Sequence, residues 1–146
     1  MTMYLLSPIG RLSPFSAVNE PVKMFLPSTF FQARLILTGD DAITELTKWN
    51  SGAIQKDQKK LEEDGSFHMT MNSMERPKMF SRDLQELSEV TGGSLVRISY
   101  QSHTKVLNRG RTLSYQLCAV QVIEEAPVPV PPIKDPHFGF SVVGNT

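Results

Sequence analysis

The sequence has few of the features that mark secreted or membrane-spanning proteins. It contains a single cysteine, Cys118, so no disulfide can form within the chain, which favours a reducing compartment. No apolar run reaches the roughly 18 residues that a membrane-spanning helix requires. The first residues lack the basic segment and the long apolar segment of a secretory signal. We therefore expect a cytoplasmic protein that does not bind membranes.

Motifs of catalysis and metal binding are also missing. The sequence contains no glycine-rich phosphate loop and no Gly-x-Ser-x-Gly nucleophile motif. His68, His103 and His137 are too far apart in the chain for the short ligand spacings of a zinc site. Asp40 and Asp41 stand where a helix should begin, and the helix dipole explains acidic residues there better than a metal does. We expect no enzymatic activity, no catalytic residues, no metal and no cofactor.

The sequence does have the composition of a globular domain. Its 146 residues are 40% hydrophobic and 21% charged. A chain of this length can bury a core without disulfide bonds or a structural metal. Fifteen Lys and Arg balance fifteen Asp and Glu, so the formal net charge is zero. A neutral total excludes a uniformly basic, histone-like protein, but it does not exclude one basic face.

Hydrophobic periodicity predicts strands joined by helices. Strands are predicted over Met3–Leu6, Val22–Leu26, Phe30–Thr38, Phe67–Met71, Ser94–Tyr100 and Thr112–Ile123. Helices are predicted over Asp40–Asn50 (Asp40 as N-cap; Ala42, Ile43, Leu46 and Trp49 on one face), over Ala53–Asp64, and after Ser81 with Leu84 and Leu87. In the last strand, strict alternation places Leu117, Ala119 and Gln121 on one face and Val120 and Val122 on the other. The stretch Gln101–Arg111 is predicted to be a loop that contains the turn signal Asn108-Arg109-Gly110. We therefore expect a long hairpin to close the chain.

This order of elements predicts a small mixed α/β or mainly β domain whose antiparallel sheet curls into a barrel with a helical insertion. Prolines cluster after Glu125, at positions 127, 129, 131 and 132, and should make that stretch extended and stiff. We divide the chain into residues 1–26, an N-terminal extension or the first strands; residues 27–125, the main domain; and residues 126–146, a Pro-rich C-terminal arm and tail.

Charge is distributed unevenly along the chain. Residues 94–123 contain four basic residues and no acidic one, whereas residues 40–64 contain seven acidic residues and four lysines, a net charge of −3. A hairpin with fixed positive charges and no acid can bind a phosphate backbone. Tyr100 and Tyr115 lie in the hairpin strands and Phe80 follows Lys78, so flat rings accompany the cations, as base stacking requires. The alternative is that the cations keep an exposed loop soluble and that both tyrosines belong to the core.

Several stretches resemble phage single-stranded-DNA-binding proteins. The strand ending at Tyr100, the basic loop after it, and a final strand with an apolar-Val-Gln-Val-apolar run are similar to the end of those proteins. The strand Phe30–Thr38 followed by two aspartates and a helix, and the segment Arg76-Pro77-Lys78, are similar as well. The resemblance covers roughly residues 27–125 and implies an OB-fold barrel whose groove holds the single strand. The acidic tail of many such proteins is missing, because residues 133–146 contain one Lys and one Asp.

The leading hypothesis is a protein encoded by a phage or mobile element that binds single-stranded DNA, or else RNA, without sequence preference, in replication or recombination in the bacterial host cytoplasm. The predicted contacts are Lys78, Phe80, Arg97, Tyr100, His103, Lys105, Arg109, Arg111 and Tyr115. We also expect a homo-oligomer and a replication or recombination partner for the C-terminal tail. The alternative is a structural or protein-interaction module that uses the C-terminal arm for assembly.

Overall fold

The computed structural model describes residues 3–23, 29–126 and 143. Its elements are β1 Leu5–Leu6, β2 Gly10–Leu12, β3 Ala17–Lys23, β4 Thr29–Leu37, α1 Gly39–Asn50, a 3-10 turn Gln55–Asp57, β5 Phe67–Ser73, β6 Lys78–Phe80, β7 Leu95–Leu107 and β8 Gly110–Glu124. The domain is mainly β, with α1 inserted between β4 and β5. The Pro-rich arm and tail lie outside the described residues, apart from Ala126 and Val143.

The strands close into a ring. β7 pairs with β8 on one side and with β1 and β2 on the other, β2 pairs with β4, β4 with β5, and β5 with β8. Because β1 and β2 follow each other along the same edge of β7, they act as one interrupted strand. The pairing of β5 with β8 is parallel and the other pairings in the ring are antiparallel. This closed five-strand arrangement confirms the predicted OB-like barrel with a helical insertion.

The core fills the inside of the barrel. The inward-facing residues of the four longest barrel strands are Ala33, Leu35 and Leu37; Phe67, Met69 and Met71; Val96, Ile98 and Tyr100; and Leu117, Val120 and Val122. Each is at most 8% exposed, and burying a large apolar side chain contributes roughly 1.5–3 kcal/mol. The interior is therefore occupied by side chains, and any ligand must bind outside the barrel or on its loops.

Strict alternation in β8 is a prediction that the structure corrects. The pairs Ser99↔Ala119 and Tyr100↔Leu117 leave one extra residue in β8, so the register shifts there. A bulge of this kind turns the strand over by one residue. As a result Leu117 and Val120 both face the core, although alternation placed them on opposite faces.

Helix α1 forms where it was predicted, with two differences. Its N-cap is Thr38, and Asp40 lies in the first turn. The buried residues are Ala42, Glu45 and Trp49, whereas Ile43 is 56% exposed. The buried carboxylate of Glu45 keeps a charged partner, because Lys48 Nζ lies 3.3 Å from its Oε1.

The predicted second helix, Ala53–Asp64, is wrong. Apart from the 3-10 turn, this segment is irregular. The Asn50 side chain accepts from the Lys59 N–H at 2.8 Å and donates to the Lys59 carbonyl at 2.9 Å. Trp49 Nε1 donates to the Asp57 carbonyl at 2.7 Å. Side chains at the end of α1 thus satisfy backbone groups that a second helix would have paired internally.

The predicted helix after Ser81 is also wrong. The Ser81 N–H donates to the Gln85 carbonyl at 2.8 Å, and the Ser81 hydroxyl accepts from the Gln85 N–H at 3.0 Å. Leu84 has a φ of 64°, which turns the chain back on itself. Phe80 then forms an isolated bridge with Glu86. A tight turn closed by backbone bonds therefore replaces the helix.

The strand predictions differ from the structure mainly in length. The stretch Gln101–Arg111 is not a loop, because β7 continues to Leu107 and β8 begins at Gly110. The predicted hairpin is therefore confirmed and is longer than expected. β3 covers the beginning of the predicted strand Val22–Leu26, whose later residues lie outside the described ones. No described helix is long and apolar enough to cross a membrane.

Candidate nucleic-acid interface

The outer face of β4 and β5 is the first place to look for a ligand. OB barrels bind oligonucleotides on the face of their second and third strands, between the loop that joins strands one and two and the loop that joins strands four and five. Counting β1 and β2 as one strand, these are β4 and β5. The first flanking loop starts after Leu12. The second is the part of the β7–β8 hairpin beyond Gln101 and Gln116, residues 102–115. From here on, "the arm" means these residues and not the Pro-rich C-terminal segment.

None of the strand residues on the outer face of β4 and β5 is a carboxylate. The outward-facing residues opposite the buried set are Gln32, Arg34 and Ile36 on β4 and His68, Thr70 and Asn72 on β5. Gln32 Nε2 donates to Asn72 Oδ1 at 3.0 Å, which holds two amides flat across the strands. The face is polar with cationic groups, and it would not repel phosphate.

A cationic groove of about 430 Å³ lies on this face. Arg34, Lys59, Lys60 and His68 line it together with Glu62, Phe67 and Thr70. The carboxylate of Glu62 lies 3.9 Å from His68 Nδ1. Lys60 is exposed, whereas Lys59 is half-buried with its Nζ 4.0 Å above the Trp49 ring. Burial lowers the pKa of Lys59, and the nearby Asp57 opposes that shift.

An exposed aromatic ring lies on the turn that is bonded to the main chain of Arg34. The Ser13 N–H donates to the Arg34 carbonyl at 2.8 Å, and the Arg34 N–H donates to the Ser16 hydroxyl at 2.9 Å. These bonds hold the turn between β2 and β3 against the edge of β4. Phe15 on this turn is 83% exposed. An exposed ring next to cations is the combination that an unpaired base and its phosphates can use.

Sequence reasoning missed this surface because its residues come from distant segments. Phe15, Arg34 and Lys60 are far apart in the chain, and only the folded barrel brings the turn of Phe15 to the main chain of Arg34 and Lys60 into one groove with Arg34. One signal was present: alternation in β4 placed Arg34 opposite the buried face. Phe15 lies in a stretch broken by proline and serine and carries no periodic signal.

The nine residues predicted from the sequence do not form one surface. Five of them lie on the arm, and of these His103, Lys105 and Arg109 are exposed. His103 Nε2 is 2.8 Å from Gln116 Oε1 on the same face of the hairpin. At the tip, Arg109 shares an open groove of about 840 Å³ with Lys56 and the apolar Ile54 and Leu107. The arm therefore keeps the acid-free basic character that the sequence indicated.

The side chains of three predicted residues, Tyr100, Tyr115 and Arg111, contact other parts of the protein. Tyr100 is 7% exposed, and burial raises its pKa to about 12. Tyr115 packs edge-on against Trp49, with ring centroids 4.8 Å apart, and burial raises its pKa too. Arg111 donates hydrogen bonds to main-chain carbonyls of the α1 end. Packing leaves Tyr100 almost no surface for a base, whereas Tyr115 and Arg111 stay partly exposed, and contact of these residues with nucleic acid remains a prediction.

The last three predicted residues lie on the outer face of β6, β8 and β7. Lys78 pairs with Ala119, Phe80 with Gln121, and Arg97 with Gln121. Arg97 Nη2 donates to Gln121 Oε1 at 2.8 Å. This face is separate from the outer face of β4 and β5. In the part of the chain that the structure describes, no cluster of His, Cys, Asp or Glu could hold a metal ion.

Comparisons with known proteins identify the same fold in phage proteins. No protein-family model matches the sequence, and no curated protein matches it.

Solved structures do match it. The single-stranded DNA-binding protein of bacteriophage Enc34 in complex with ssDNA has a TM-score of 0.60 at 13% identity, over 84% of this chain and 87% of that one. A C-terminal truncation of the Enc34 protein has a TM-score of 0.62 at 14% identity, over 84% and 86%. The bacteriophage T7 protein gp2.5, a single-stranded DNA-binding protein, has a TM-score of 0.63 at 14% identity, over 92% and 98%. The chain is thus similar in fold, over most of its length, to phage proteins of this class.

Proposed function

We propose that this protein binds single-stranded DNA without sequence preference, on the outer face of β4 and β5 and along the arm. One observation carries the proposal: Arg34, Lys60 and His68 line a groove on a face whose strands carry no carboxylate, and the turn that bears the exposed Phe15 is bonded to the main chain of Arg34. The arm adds cations from a stretch without acidic residues.

The chemistry of this surface suits a single strand. Cations neutralise phosphates, and an exposed ring stacks on any base, so neither contact distinguishes one base from another. In a duplex the bases are already stacked and offer no free faces. The solved structures of the same fold support the proposal, since their proteins bind single-stranded DNA and one was determined with that ligand.

The proposal includes a setting and a mode of action. The protein would act in replication or recombination in the bacterial host cytoplasm, by binding alone, without catalysis or cofactor. It would do so as a homo-oligomer and recruit a partner through its C-terminal tail. The structural neighbours do not favour the alternative of a purely structural assembly module.

A titration of fluorescent oligo-dT at rising salt tests the proposal. The logarithm of the binding constant should fall linearly with the logarithm of salt concentration, by about 0.7 per neutralised phosphate. Arg34→Ala should weaken binding and make this slope shallower by about 0.7. Phe15→Ala should weaken binding by about 1–3 kcal/mol and leave the slope unchanged, because it removes stacking only.

Arg97→Ala is the matched control for Arg34→Ala, because it removes the same charge from the face of β6, β8 and β7. It should leave both affinity and slope unchanged. If Arg97→Ala weakened binding and Arg34→Ala did not, the strand would bind on the other face. Absence of binding by the unaltered protein at low salt would refute the proposed function. A parallel oligo-U titration measures the preference between DNA and RNA.

A further inference from the structure

The arm extends β7 and β8 beyond Gln101 and Gln116, and its β8 strand is bonded to the segment after α1. Residues 102–109 are all exposed. The other strand passes the end of α1, where Arg111 forms a parallel bridge with Ala53. The direction of the arm is therefore set at its junction with α1.

Arg111 makes this junction with both its backbone and its side chain. Its N–H donates to the Gly52 carbonyl at 2.8 Å, and its carbonyl accepts from the Ile54 N–H at 3.0 Å. Its guanidinium donates from Nη2 to the Lys48 carbonyl at 2.8 Å and from Nε to the Ser51 carbonyl. The last carbonyls of a helix have no partner within the helix and carry its negative dipole end. Arg111 therefore caps α1 with a side chain that belongs to the arm.

Aromatic packing supports the same junction. Tyr115, four residues along the arm strand, packs edge-on against Trp49 in the last turn of α1 and lies 4.9 Å from Tyr100, centroid to centroid. Trp49 is held in turn by its bond to the Asp57 carbonyl and by Lys59 over its ring. The arm thus rests on a fixed support at the end of the helix.

We propose that Arg111 is a positioning residue: by capping α1 it fixes the direction of the arm, so that Lys105 and Arg109 are held in place for a nucleic-acid backbone. The role of the arm in binding rests on the proposed function, whereas the docking of the arm on α1 does not. Arg111 differs in this from Lys105 and Arg109, which would contact phosphates directly.

The geometry requires a guanidinium. Two donors of one planar group reach two carbonyls that lie in different directions, Lys48 and Ser51. A lysine carries the same charge on a single point and cannot reproduce this fork. Arg111→Lys therefore separates the two roles, because it retains a charge for phosphate and loses the cap.

Docking can be measured without DNA. Trp49 is the single tryptophan of the sequence, so intrinsic fluorescence reports its contact with Tyr115. Arg111→Lys and Arg111→Ala should both shift the Trp49 emission and accelerate hydrogen exchange at the amides of Ile54 and residue 111 by about tenfold, in line with the loss of a charged hydrogen bond. Unchanged exchange in both variants would overturn the proposal.

A double-mutant cycle tests the consequence for binding, using oligo-dT as the probe. In the full-length protein Arg111→Ala and Arg111→Lys should each lower affinity about tenfold. In the Lys105→Ala/Arg109→Ala background, Arg111→Ala should have no further effect, because the arm no longer carries the cations that it positions. An additive loss in that background, or full affinity in Arg111→Lys, would show that Arg111 is itself a phosphate ligand and overturn the proposal. If the unaltered protein bound no oligo-dT, the proposed function would fail, and exchange alone would decide the docking of the arm.

Discussion

Arginine residues of one hairpin serve different purposes in this protein. Arg97 lies on the sheet face and bonds to Gln121, Arg109 lies exposed at the arm tip, and Arg111 caps α1. All three look alike in the sequence, where each is a cation in a stretch without acids. The sequence could predict their charge, but what each guanidinium faces depends on elements distant in the chain.

Tyr100 illustrates the same point for aromatic residues. Tyr100 shares a face of β7 with Val96 and Ile98, so the sequence allowed it either to stack on a base or to belong to the core. Its burial places it in the core. Phe15 is the opposite case, since it carries no pattern in the sequence and is exposed on the turn that is bonded to Arg34. A hydrophobic pattern records which residues can be buried, whereas contact with a ligand depends on which remain outside.

Burial of Tyr100 predicts a loss of stability at alkaline pH. Its folded pKa of about 12 lies above the ordinary value of 10, because burial, and then the charge of Glu45, disfavour the phenolate. The folded state therefore holds this proton more tightly, so the resulting stability is complete below pH 10 and is lost as pH rises through 12. Tyr100→Phe should flatten the fall of the urea midpoint between pH 10 and 12.

The comparison of variant with unaltered protein isolates this effect. Burial lowers the pKa of Lys59, which acts on stability in the opposite direction but equally in both proteins. Tyr4→Phe, at a ring that is 64% exposed, is the matched control and should leave the fall as it is. An equally steep fall in Tyr100→Phe would contradict the assignment.

At the scale of elements, segments with a clear hydrophobic period were predicted well, whereas the charged stretch after α1 was not. The strand β4 and the helix α1 each have enough repeats of a 2.0 or 3.6 period to be unambiguous. The charged stretch after α1 has the composition of a helix, but side chains of Trp49 and Asn50 bind its backbone. Such side-chain capture cannot be predicted from local propensity.

The hairpin supplies the second part of the candidate site, the arm. The sequence predicted its turn from Asn108-Arg109-Gly110 but underestimated its strands, since polar residues continue the pairing to Leu107↔Gly110. Exposed ladders carry no hydrophobic signal, because neither face is buried. Their pairing is favoured by the tight turn and by the contacts of Arg111 at the other strand.

Gly110→Ala should destabilise the protein by about 1–3 kcal/mol. Gly110 has a φ of 134°, and a Cβ there would lie 2.7 Å from the Gly52 carbonyl oxygen. The substitution therefore strains the backbone and pushes the arm away from the segment after α1. Urea unfolding followed by circular dichroism measures the loss.

Gly65→Ala separates strain from contact. Gly65 also has a positive φ, of 85°, but a Cβ there would meet nothing within 4 Å. Its loss should be near 1 kcal/mol and should come from backbone strain alone. Equal losses at the two glycines would mean that the approach of Gly110 to Gly52 contributes nothing.

At the scale of the whole molecule, the ring of strands explains which residues the fold needs. Its pairings run from Leu5 to Glu124, so β1 and β2 belong to the barrel. The sequence alone allowed residues 1–26 to be either an N-terminal extension or the first strands. The alternative role of the C-terminal segment in assembly can then be tested by removing that segment.

A chain of residues 1–126 should keep the barrel. Its free energy of unfolding should stay within about 1 kcal/mol of the full chain, because the deletion removes none of the ring pairings among the described residues. Denaturant unfolding measures this, and sedimentation together with oligo-dT titration shows whether assembly or binding changes. Truncation after Val120, which removes the Val122 pairing with Val96, is the control and should unfold the domain. Unfolding of residues 1–126 would place part of the fold in the C-terminal segment.

The sequence by itself determined the class of this protein: one domain, mainly β, with an inserted helix, a closing hairpin and a basic, acid-free stretch. Those properties follow from composition and from periods of two and 3.6 residues, which are local. The tertiary structure decided where the cations and rings lie, because barrel closure brings Phe15 to Arg34 and the arm to α1. It divided nine predicted contacts among three places and built an outer face of β4 and β5 that no local pattern contains. The neutral total charge thus coexists with a strand face free of carboxylates, since neighbours in space are chosen by pairing and not by order in the chain.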